Sequence, residues 1–363
     1  MIQDLFIIGA TGNVGITLAS QILKKGDTDA SIHYDPTRLF GLASSKKRVF
    51  SPDGVFPDQL ETNSSEYGSL DDLLELAKRE YKSNRSTLVF VDVTALNEPM
   101  TEFHLKVIRD TPYGIVTANK NPVALSDYAV FQELTRHPRR YGYRCSVMAG
   151  AESVTFLQDL RDLNDRLHSI EGCFSGTNGY IATELEKGRK FSEIVIEARK
   201  KGYTEPDPRD DLSGLDVARK IIVLARTAGY GVGIENVVLN PFIPREYFSG
   251  EDVSSFLNRI NELDEYFKEI VAKAKENGLS LRYVARMDII DGEPKIEVGL
   301  KEVPEKSPLG RLEGTLNKFV VITDAYPEKS PYSVEAPGAG LEVTARNIRR
   351  DLLYLLPERE NIL

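Results

Sequence analysis

Apolar positions along this chain follow two rhythms that change over near residue 150. Before that point, short apolar runs bounded by Gly, Pro, Asn or Ser read as strands: LFII (5–8), LFGLA (39–43), TLVFVDV (87–93), GIVTA (114–118) and YRCSVM (143–148). Helical patterns lie between them. Leu70, Leu73, Leu74 and Ala77 share one face behind a Ser69 cap with acids in the first turn, and further helices are expected over 98–109 and 125–136. Strands alternating with helices predict βαβ units and a parallel sheet, because parallel neighbours need a crossover. After residue 150 the spacing predicts an amphipathic helix over 152–166, a strand SIEGCFS, and further helices, including a long one from Val253 to Asn277 closed by Gly278. LRYVARMDII and KIEVGLKEV flank DGEP, a hairpin signal that parallel sheets do not supply. The expected fold class is α/β: a Rossmann-type parallel-sheet domain over 1–150 and a second α+β domain over 151–337. The last helix, within 338–363, is expected to pack back on the first domain.

Composition narrows the function. With 363 residues, 41% of them hydrophobic, the chain can bury two cores, and a net charge of −9 argues against a nucleic-acid footprint. Small molecules are the expected partners. No apolar run approaches the roughly 18 residues of a membrane span, and MIQDLFIIGATGNVG enters a strand pattern without a basic leader, so a cytoplasmic protein is expected. The two cysteines, Cys145 and Cys173, form no C-x-x-C pair and suggest neither a disulfide framework nor a zinc site. His33, His104, His137 and His168 are scattered without ligand spacing and read as ordinary surface or half-buried histidines. N-x-S/T matches at Asn63 and Asn84 carry no weight without a secretory signal.

FIIGATGNVG places Gly9, Gly12 and Gly15 at a strand-to-helix turn. Glycine there allows a tight turn and close approach of a pyrophosphate to the first N–H groups of the helix, so a dinucleotide is the expected ligand, although glycine at such turns also serves plain packing. The end of the second strand lacks the Asp or Glu that would bind the ribose hydroxyl of NAD. It offers Ser44, Ser45, Lys46, Lys47 and Arg48. Hydroxyls and cations accept a 2′-phosphate, which favours NADP over NAD; a solvated basic turn is the alternative.

KGYTEPDPRDDLSGLDVARK (201–220) crowds Glu205, Asp207, Asp210, Asp211 and Asp216 ahead of a helix. Such carboxylates are either fully solvated or held by positive partners. Ser213 can cap the helix, and Asp216 and Lys220, at i and i+4, share one face of it, as an ordinary surface ion pair also would.

TANK (117–120), SGTNGYI (175–181), GYTEPDPRDDLSGLDVARK (202–220) and PGAGLEVTA (337–345), in this order behind a glycine loop, resemble homoserine dehydrogenase. The resemblance runs from the first strand to the last helix, with the acidic block its most specific part. It implies reversible NAD(P)-dependent interconversion of L-homoserine and L-aspartate 4-semialdehyde, on the route to threonine and methionine, in a homodimer without an aspartate kinase module. Residue by residue, it implies substrate binding by Thr177, Tyr203, Glu205 and Asp211, and chemistry at Lys220, Lys120 and Asp216. Gly9, Thr11, Gly12, Asn13, Val14, Ser44, Ser45, Lys46, Thr94, Lys120 and Gly340 would bind the cofactor. Backbone carbonyls of Arg144, Val147, Ala149 and Ala151 would hold a monovalent Na+ or K+. This chain departs from the family where SGTLSYI becomes SGTNGYI and where VGAGLP becomes VMAGAE, the second change falling on the cation segment. Homoserine carries an ammonium, for which Glu205 and Asp211 are suited, and Pro206 and Pro208 stiffen their loop. No histidine lies in these motifs, so Lys220 is expected to act as acid/base, with Lys120 assisting and Asp216 orienting. Dimerisation is expected through the helix near 152–166 and strands near 311–335, because GTLNKFVVITDAY is long and apolar for an exposed edge. Two rivals remain. Aspartate-semialdehyde dehydrogenase, with a similar glycine loop, would need a nucleophilic cysteine beside a histidine, and a dinucleotide-sensing protein would need no catalytic lysines.

Overall fold

Leu5, Phe6, Ile7 and Ile8 are buried on both faces of one strand, as the unbroken apolar run requires of the centre of a parallel sheet. The computed structural model describes residues 2–25, 37–82, 86–137, 139–249 and 252–355. His33 and the Asn84 match lie outside them. The chain divides into two units, Met1–Ala151 with Gly340–Leu363, and Glu152–Ala339.

In chain order, the first unit contains β1 (Ile2–Ile8), α1 (Asn13–Lys25), β2 (Thr37–Ala43), β3 (Lys47–Phe50), α2 (Gln59–Thr62), β4 (Ser65–Glu66), α3 (Leu70–Glu80), β5 (Ser86–Asp92), α4 (Glu98–Asp110), β6 (Gly114–Thr117), α5 (Asn121–Ala124), α6 (Tyr128–Thr135) and β7 (Tyr141–Gly142). The second contains α7 (Ser153–Leu163), β8 (Leu167–Cys173), α8 (Gly176–Glu186), α9 (Phe191–Lys200), α10 (Pro208–Leu212), α11 (Leu215–Thr227), β9 (Val237–Leu239), α12 (Val253–Arg259), α13 (Asp264–Glu276), β10 (Leu279–Ile290), β11 (Glu293–Pro304), β12 (Leu316–Thr323) and β13 (Tyr332–Pro337). The chain then returns to the first unit as α14 (Leu341–Tyr354).

The first sheet has the order β4-β3-β2-β1-β5-β6-β7. From β2 to β7 its strands are parallel, and β3 and β4 add an antiparallel edge. The order reverses between β1 and β5, which opens a crevice at their carboxyl ends. Leu5 and Ile7 pack with Leu18 and Ile22 of α1 and with Ala345, Ile348 and Leu352 of α14. Phe6, on the other face, meets Phe40 and Phe90.

The second sheet has the order β13-β12-β8-β10-β11-β9, antiparallel except for the β11–β9 pair. The expected hairpin is the β10–β11 pair, turning through Asp291 and Gly292, both with positive φ (53° and 84°). Along β12, Val320 packs with Cys173, Val284, Leu309 and Leu312. Asn317, Phe319 and Val321 point to the opposite face, as strand periodicity dictates.

Three local expectations change. The strand expected over 143–148 is two short 3₁₀ turns, Arg144–Ser146 and Met148–Gly150, because the Asp351 carboxylate on α14 takes both the Arg144 N–H (3.0 Å) and its guanidinium (2.8 Å), drawing the chain off the ladder. The long helix of 253–277 is broken at Ile260–Leu263 into 3₁₀ form, with Ile260 and Leu263 buried one such turn apart and no glycine or proline to mark the break. The apolar run in GTLNKFVVITDAY is no edge: β12 lies between β13 and β8, and its own sheet covers it.

Candidate active site

The crevice at the carboxyl ends of β1 and β5 is a cavity of about 840 Å³. Gly9 adopts φ 90°, and the N–H groups of Gly9 and Ala10 both reach the Ala43 carbonyl (3.0 and 2.9 Å), so the loop is tied to the end of β2. α1 starts at Asn13 with no acidic residue in its first turn, leaving the positive end of its dipole and its unpaired N–H groups for an anion. Gly15 lets this helix begin against the loop, since a Cβ there would lie 2.4 Å from the Gly9 carbonyl oxygen.

Of the residues expected to bind the cofactor, Gly9, Thr11, Gly12, Ser44, Ser45 and Thr94 line this cavity. Asn13, Val14, Lys46, Lys120 and Gly340 are not among its walls. Ser44 Oγ accepts the N–H of Lys47 (3.0 Å), closing a tight β2–β3 hairpin that carries Ser45 and Lys46 at its exposed tip. The sequence reading missed the opposite wall, Tyr67 to Asp71 with Lys106. There the Tyr67 hydroxyl donates to the Ser44 carbonyl (2.5 Å), and Asp71 is held bidentately by Lys106 (2.7 and 3.0 Å). The Asp71 carboxylate on this wall is therefore paired with a cation of its own.

Thr94 is set by a buried network that no motif marks. Asp92 Oδ1 accepts both the Thr94 N–H (2.9 Å) and its hydroxyl (2.8 Å), while Oδ2 takes the Thr117 hydroxyl at 3.2 Å. Behind it His104, read as an ordinary histidine, is fully buried, with Nδ1 2.8 Å from the Tyr141 hydroxyl. Burial pushes the Tyr141 pKa well up, and on the other side of the ring His104 Nε2 lies 3.3 Å from Asp92 Oδ2, outside hydrogen-bonding geometry. Lys120 is the residue before α5, and the neighbouring Asn119 ties that turn to the Leu96 carbonyl (2.7 Å).

In the second unit, one segment, Phe174 to Asn178, reaches both clusters of expected site residues. The Phe174 carbonyl accepts from Lys220 Nζ (2.6 Å), which also pairs with Asp216 Oδ2 (2.8 Å). Lys220 is largely buried, with 11% of its side chain exposed. Thr177 Oγ1 lies 2.5 Å from the Tyr203 carbonyl and 2.9 Å from Asp211 Oδ1, and Asn178 Nδ2 donates to the Asp211 carbonyl (3.1 Å). Asp211 Oδ2 accepts the Glu205 N–H (2.8 Å). Glu205 and Tyr203 keep exposed side chains. Burial pushes the Asp211 carboxyl up to about 6, against the hydrogen bonds from Glu205 and Thr177 that favour its anion, with the charges of Glu205 and Asp216 adding to the rise. The geometry agrees: the single Thr177 proton faces two acceptors, a conflict that a proton on Asp211 removes.

The rest of the acidic block is local structure. Asp207 caps α10 through the Arg209 N–H (3.0 Å), and the Arg209 guanidinium beside it lowers its carboxyl pKa. Ser213 is not the cap residue of α11, although its hydroxyl meets the first N–H of that helix. The residue before α11 is Gly214, at φ 76°, where a Cβ would meet the Tyr283 hydroxyl at 1.9 Å; one residue further back, Ser213 Oγ accepts the Leu215 N–H that opens α11 (3.2 Å) and donates to the Asp210 carbonyl (2.7 Å). In the segment expected to hold a cation, the carbonyls of Arg144, Val147 and Ala149 already accept from Val147 (3.3 Å), Gly150 (3.1 Å) and Asn347 (2.7 Å). Both cysteines are free and buried, which raises their pKa values, Cys173 to about 12. Neither is a nucleophile of the kind aspartate-semialdehyde dehydrogenase would need.

Against known proteins, residues 154–353 match the homoserine dehydrogenase family. The chain belongs to that family. A bifunctional aspartokinase/homoserine dehydrogenase 1, chloroplastic, of Zea mays is 33% identical over 357 residues, covering 96% of this chain and 38% of the relative. A bifunctional aspartokinase/homoserine dehydrogenase of Haemophilus influenzae is 32% identical over 363 residues, covering 98% and 43%. The chain thus spans about two fifths of the length of these curated relatives. Among solved structures, a Candida auris protein described as of unknown function superposes with a TM-score of 0.85 at 29% identity over 98% of both chains. A putative homoserine dehydrogenase of Archaeoglobus fulgidus gives 0.74 at 23% over 98% of both. A hyperthermophilic archaeal homoserine dehydrogenase in complex with NADPH gives 0.70 at 20% over 97% of both. The fold class and homoserine dehydrogenase resemblance expected from the motifs therefore both hold.

Proposed function

We propose that this chain is a homoserine dehydrogenase that interconverts L-homoserine and L-aspartate 4-semialdehyde with a nicotinamide cofactor, NADP(H) preferred. The observation that carries the reading is the Lys220–Asp216 pair, anchored on the Phe174 carbonyl three residues before Thr177 and its partner Asp211. The cavity at β1 and β5 fits a dinucleotide: an open helix terminus, a glycine whose φ other residues rarely adopt, and hydroxyls at the end of β2. When bound there, the cofactor supplies the hydride acceptor for C4 of homoserine. Gly9, Thr11, Gly12 and the first N–H groups of α1, at Asn13 and Val14, would hold its phosphates; Ser44, Ser45 and Lys46 its 2′-phosphate; Thr94, Lys120 and Gly340 would complete its site.

Lys220, in its neutral form, takes the proton of the C4 hydroxyl as the C4 hydride leaves, and in reverse its ammonium returns that proton to the aldehyde oxygen. Asp216 fixes the direction of the ammonium, and Lys120 assists in binding or proton transfer. Asp211 and Glu205 receive the substrate ammonium, with Thr177 and Tyr203 framing them. A Na+ or K+ on the carbonyls of Arg144, Val147, Ala149 and Ala151 would share three of them with hydrogen bonds already made, so no step is routed through it. A homodimer in the cytoplasm completes the proposal; free buried thiols suit a reducing compartment, and among the described residues no helix is long and apolar enough to cross a membrane.

The test is NADPH formation from L-homoserine and NADP+ at alkaline pH, with kcat/KM compared for NADP+ and NAD+. Reduction of neither cofactor overturns the reading, and a strong preference for NAD+ that survives Lys46→Ala overturns its cofactor part. Sedimentation at micromolar concentration checks the dimer.

A further inference from the structure

The Asn317 side chain is wholly buried, and neither Nδ2 nor Oδ1 has a hydrogen-bond partner. It sits on β12 in an otherwise apolar row with Phe319 and Val321, both 0% exposed. An apolar residue would suit this row better, since an unpaired buried amide forfeits its water without replacement. The chain after β13 crosses directly over the amide: a Cβ on Gly338 would lie 2.1 Å from Asn317 Cγ, so only glycine can pass there. Extending the β12–β8 register by one residue beyond the Lys318–Cys173 pair brings Asn317 opposite Phe174, whose carbonyl anchors Lys220. A buried carboxamide with both ends unpaired, a segment that touches only its face, and the lysine anchor thus meet at one end of the sheet.

We propose that Asn317 is a positioning residue for the reaction: with cofactor and substrate bound, its carboxamide pairs with the main chain of Gly338 and Ala339, fixing that segment beside the Phe174 anchor of Lys220. The Gly338 backbone lies directly against the amide, and a shift of the crossing from the face of the amide to its edge is enough to make the bonds. The unpaired resting state then favours binding of the reactants that relieve it. This rests on the dehydrogenase reading above.

Asn317→Leu, close in volume and without polar atoms, separates this role from plain packing. Ligand-free, it should melt no lower than the wild type. Its kcat should fall about 10-fold or more while KM for homoserine moves less than about 3-fold, the pattern of an interaction made in the working state. Hydrogen exchange adds a readout apart from turnover: NADPH with homoserine should protect residues 338–340 in the wild type and not in the variant. An unchanged kcat overturns the proposal, and so does a melting temperature several degrees lower in the ligand-free variant, which would show the amide already satisfied at rest. If the leucine variant does not fold, Asn317→Ala gives the same kcat and exchange comparisons. Absence of homoserine oxidation in the wild type removes the functional reading; protection of 338–340 by NADPH alone, lost in the variant, would still test the pairing.

Discussion

Lys220 touches two acceptors, an aspartate one helical turn before it and the main-chain carbonyl of Phe174, the residue after β8. An exposed i,i+4 pair contributes about 0.3 to 0.5 kcal/mol and is set by nothing else; this one is aimed by a second element, which is how a proton-transfer group is held. Lys220→Ala is expected to lower kcat by about 10²-fold or more with the KM for cofactor little changed, measured in a variant whose circular dichroism matches the wild type. Near-wild-type kcat in both Lys220→Ala and Lys120→Ala would end the lysine mechanism. Asp211 gives a prediction with a sign. Its folded pKa, about 6, lies above its unfolded value near 3.8, so its contribution favours folding only below about pH 4 and is lost as pH rises through 6. At pH 7.5 the buried carboxylate then costs about 1 to 2 kcal/mol, after discounting for its remaining exposure. Asp211→Asn should therefore raise the melting temperature at pH 7.5, show no gain below pH 4, and raise the KM for homoserine. A variant less stable than wild type at pH 7.5 would contradict the assignment. The motif made Lys220, Asp216 and Asp211 legible because their spacing is short. His104 and Asn317 were not, since what matters about them is the chain that folds over them from far along the sequence.

At the scale of elements, local signals transferred well, and features set by chain distant in sequence did not. β1, the glycine turn, the Ser69 cap of α3 and the β10–β11 hairpin each follow from adjacent residues, and each is present. The position of β12 inside its sheet depends on β13 and β8, from opposite directions along the chain, so an apolar run alone could not distinguish an interior strand from a covered edge. The end of the first sheet was misread for the same reason, because the residue that stops the ladder, Asp351, lies far along the chain in α14. The βα turn can be tested as a unit. Gly15→Ala places a Cβ 2.4 Å from backbone at Gly9, which must move, whereas the Cβ of Gly12→Ala meets only the Gly9 carbonyl at 3.3 Å. Gly15→Ala should weaken NADPH binding at least about 10-fold and destabilise by about 1 to 3 kcal/mol. Gly12→Ala should fold normally and lose affinity only through the approach of the phosphates. Fluorescence titration with NADPH, beside thermal melts, distinguishes the two; equal melting temperatures would mean that Gly15 is not a packing glycine.

The whole molecule is built from a first unit that is discontinuous in sequence, its sheet completed by a helix that follows the entire second unit. Ala345, Ile348 and Leu352 of α14 are 0% exposed and share a core with Leu5 and Ile7 of β1, and Asp351, 1% exposed, holds the Arg144 guanidinium at 2.8 Å. Burial of Ile348 and Leu352 contributes about 1.5 to 3 kcal/mol each, and stranding Arg144 and the backbone that Asp351 caps adds several more. That total is comparable to the roughly 5 to 15 kcal/mol by which a domain is stable. A chain ending at Ala339 is therefore expected to lose the first unit as a folded body and NADPH binding with it, although every residue lining the dinucleotide cavity is still present. The second unit, Glu152–Ala339, has its own six-stranded sheet and loses no part of it in this truncation. Calorimetry should show the transition assigned to the first unit, identified as the one that NADPH raises in the full chain, missing from the truncated one. Asp351→Ala in the full chain should lower that same transition and leave the other in place. A truncated chain that still bound NADPH with its original Kd would show that the sheet stands without its last helix.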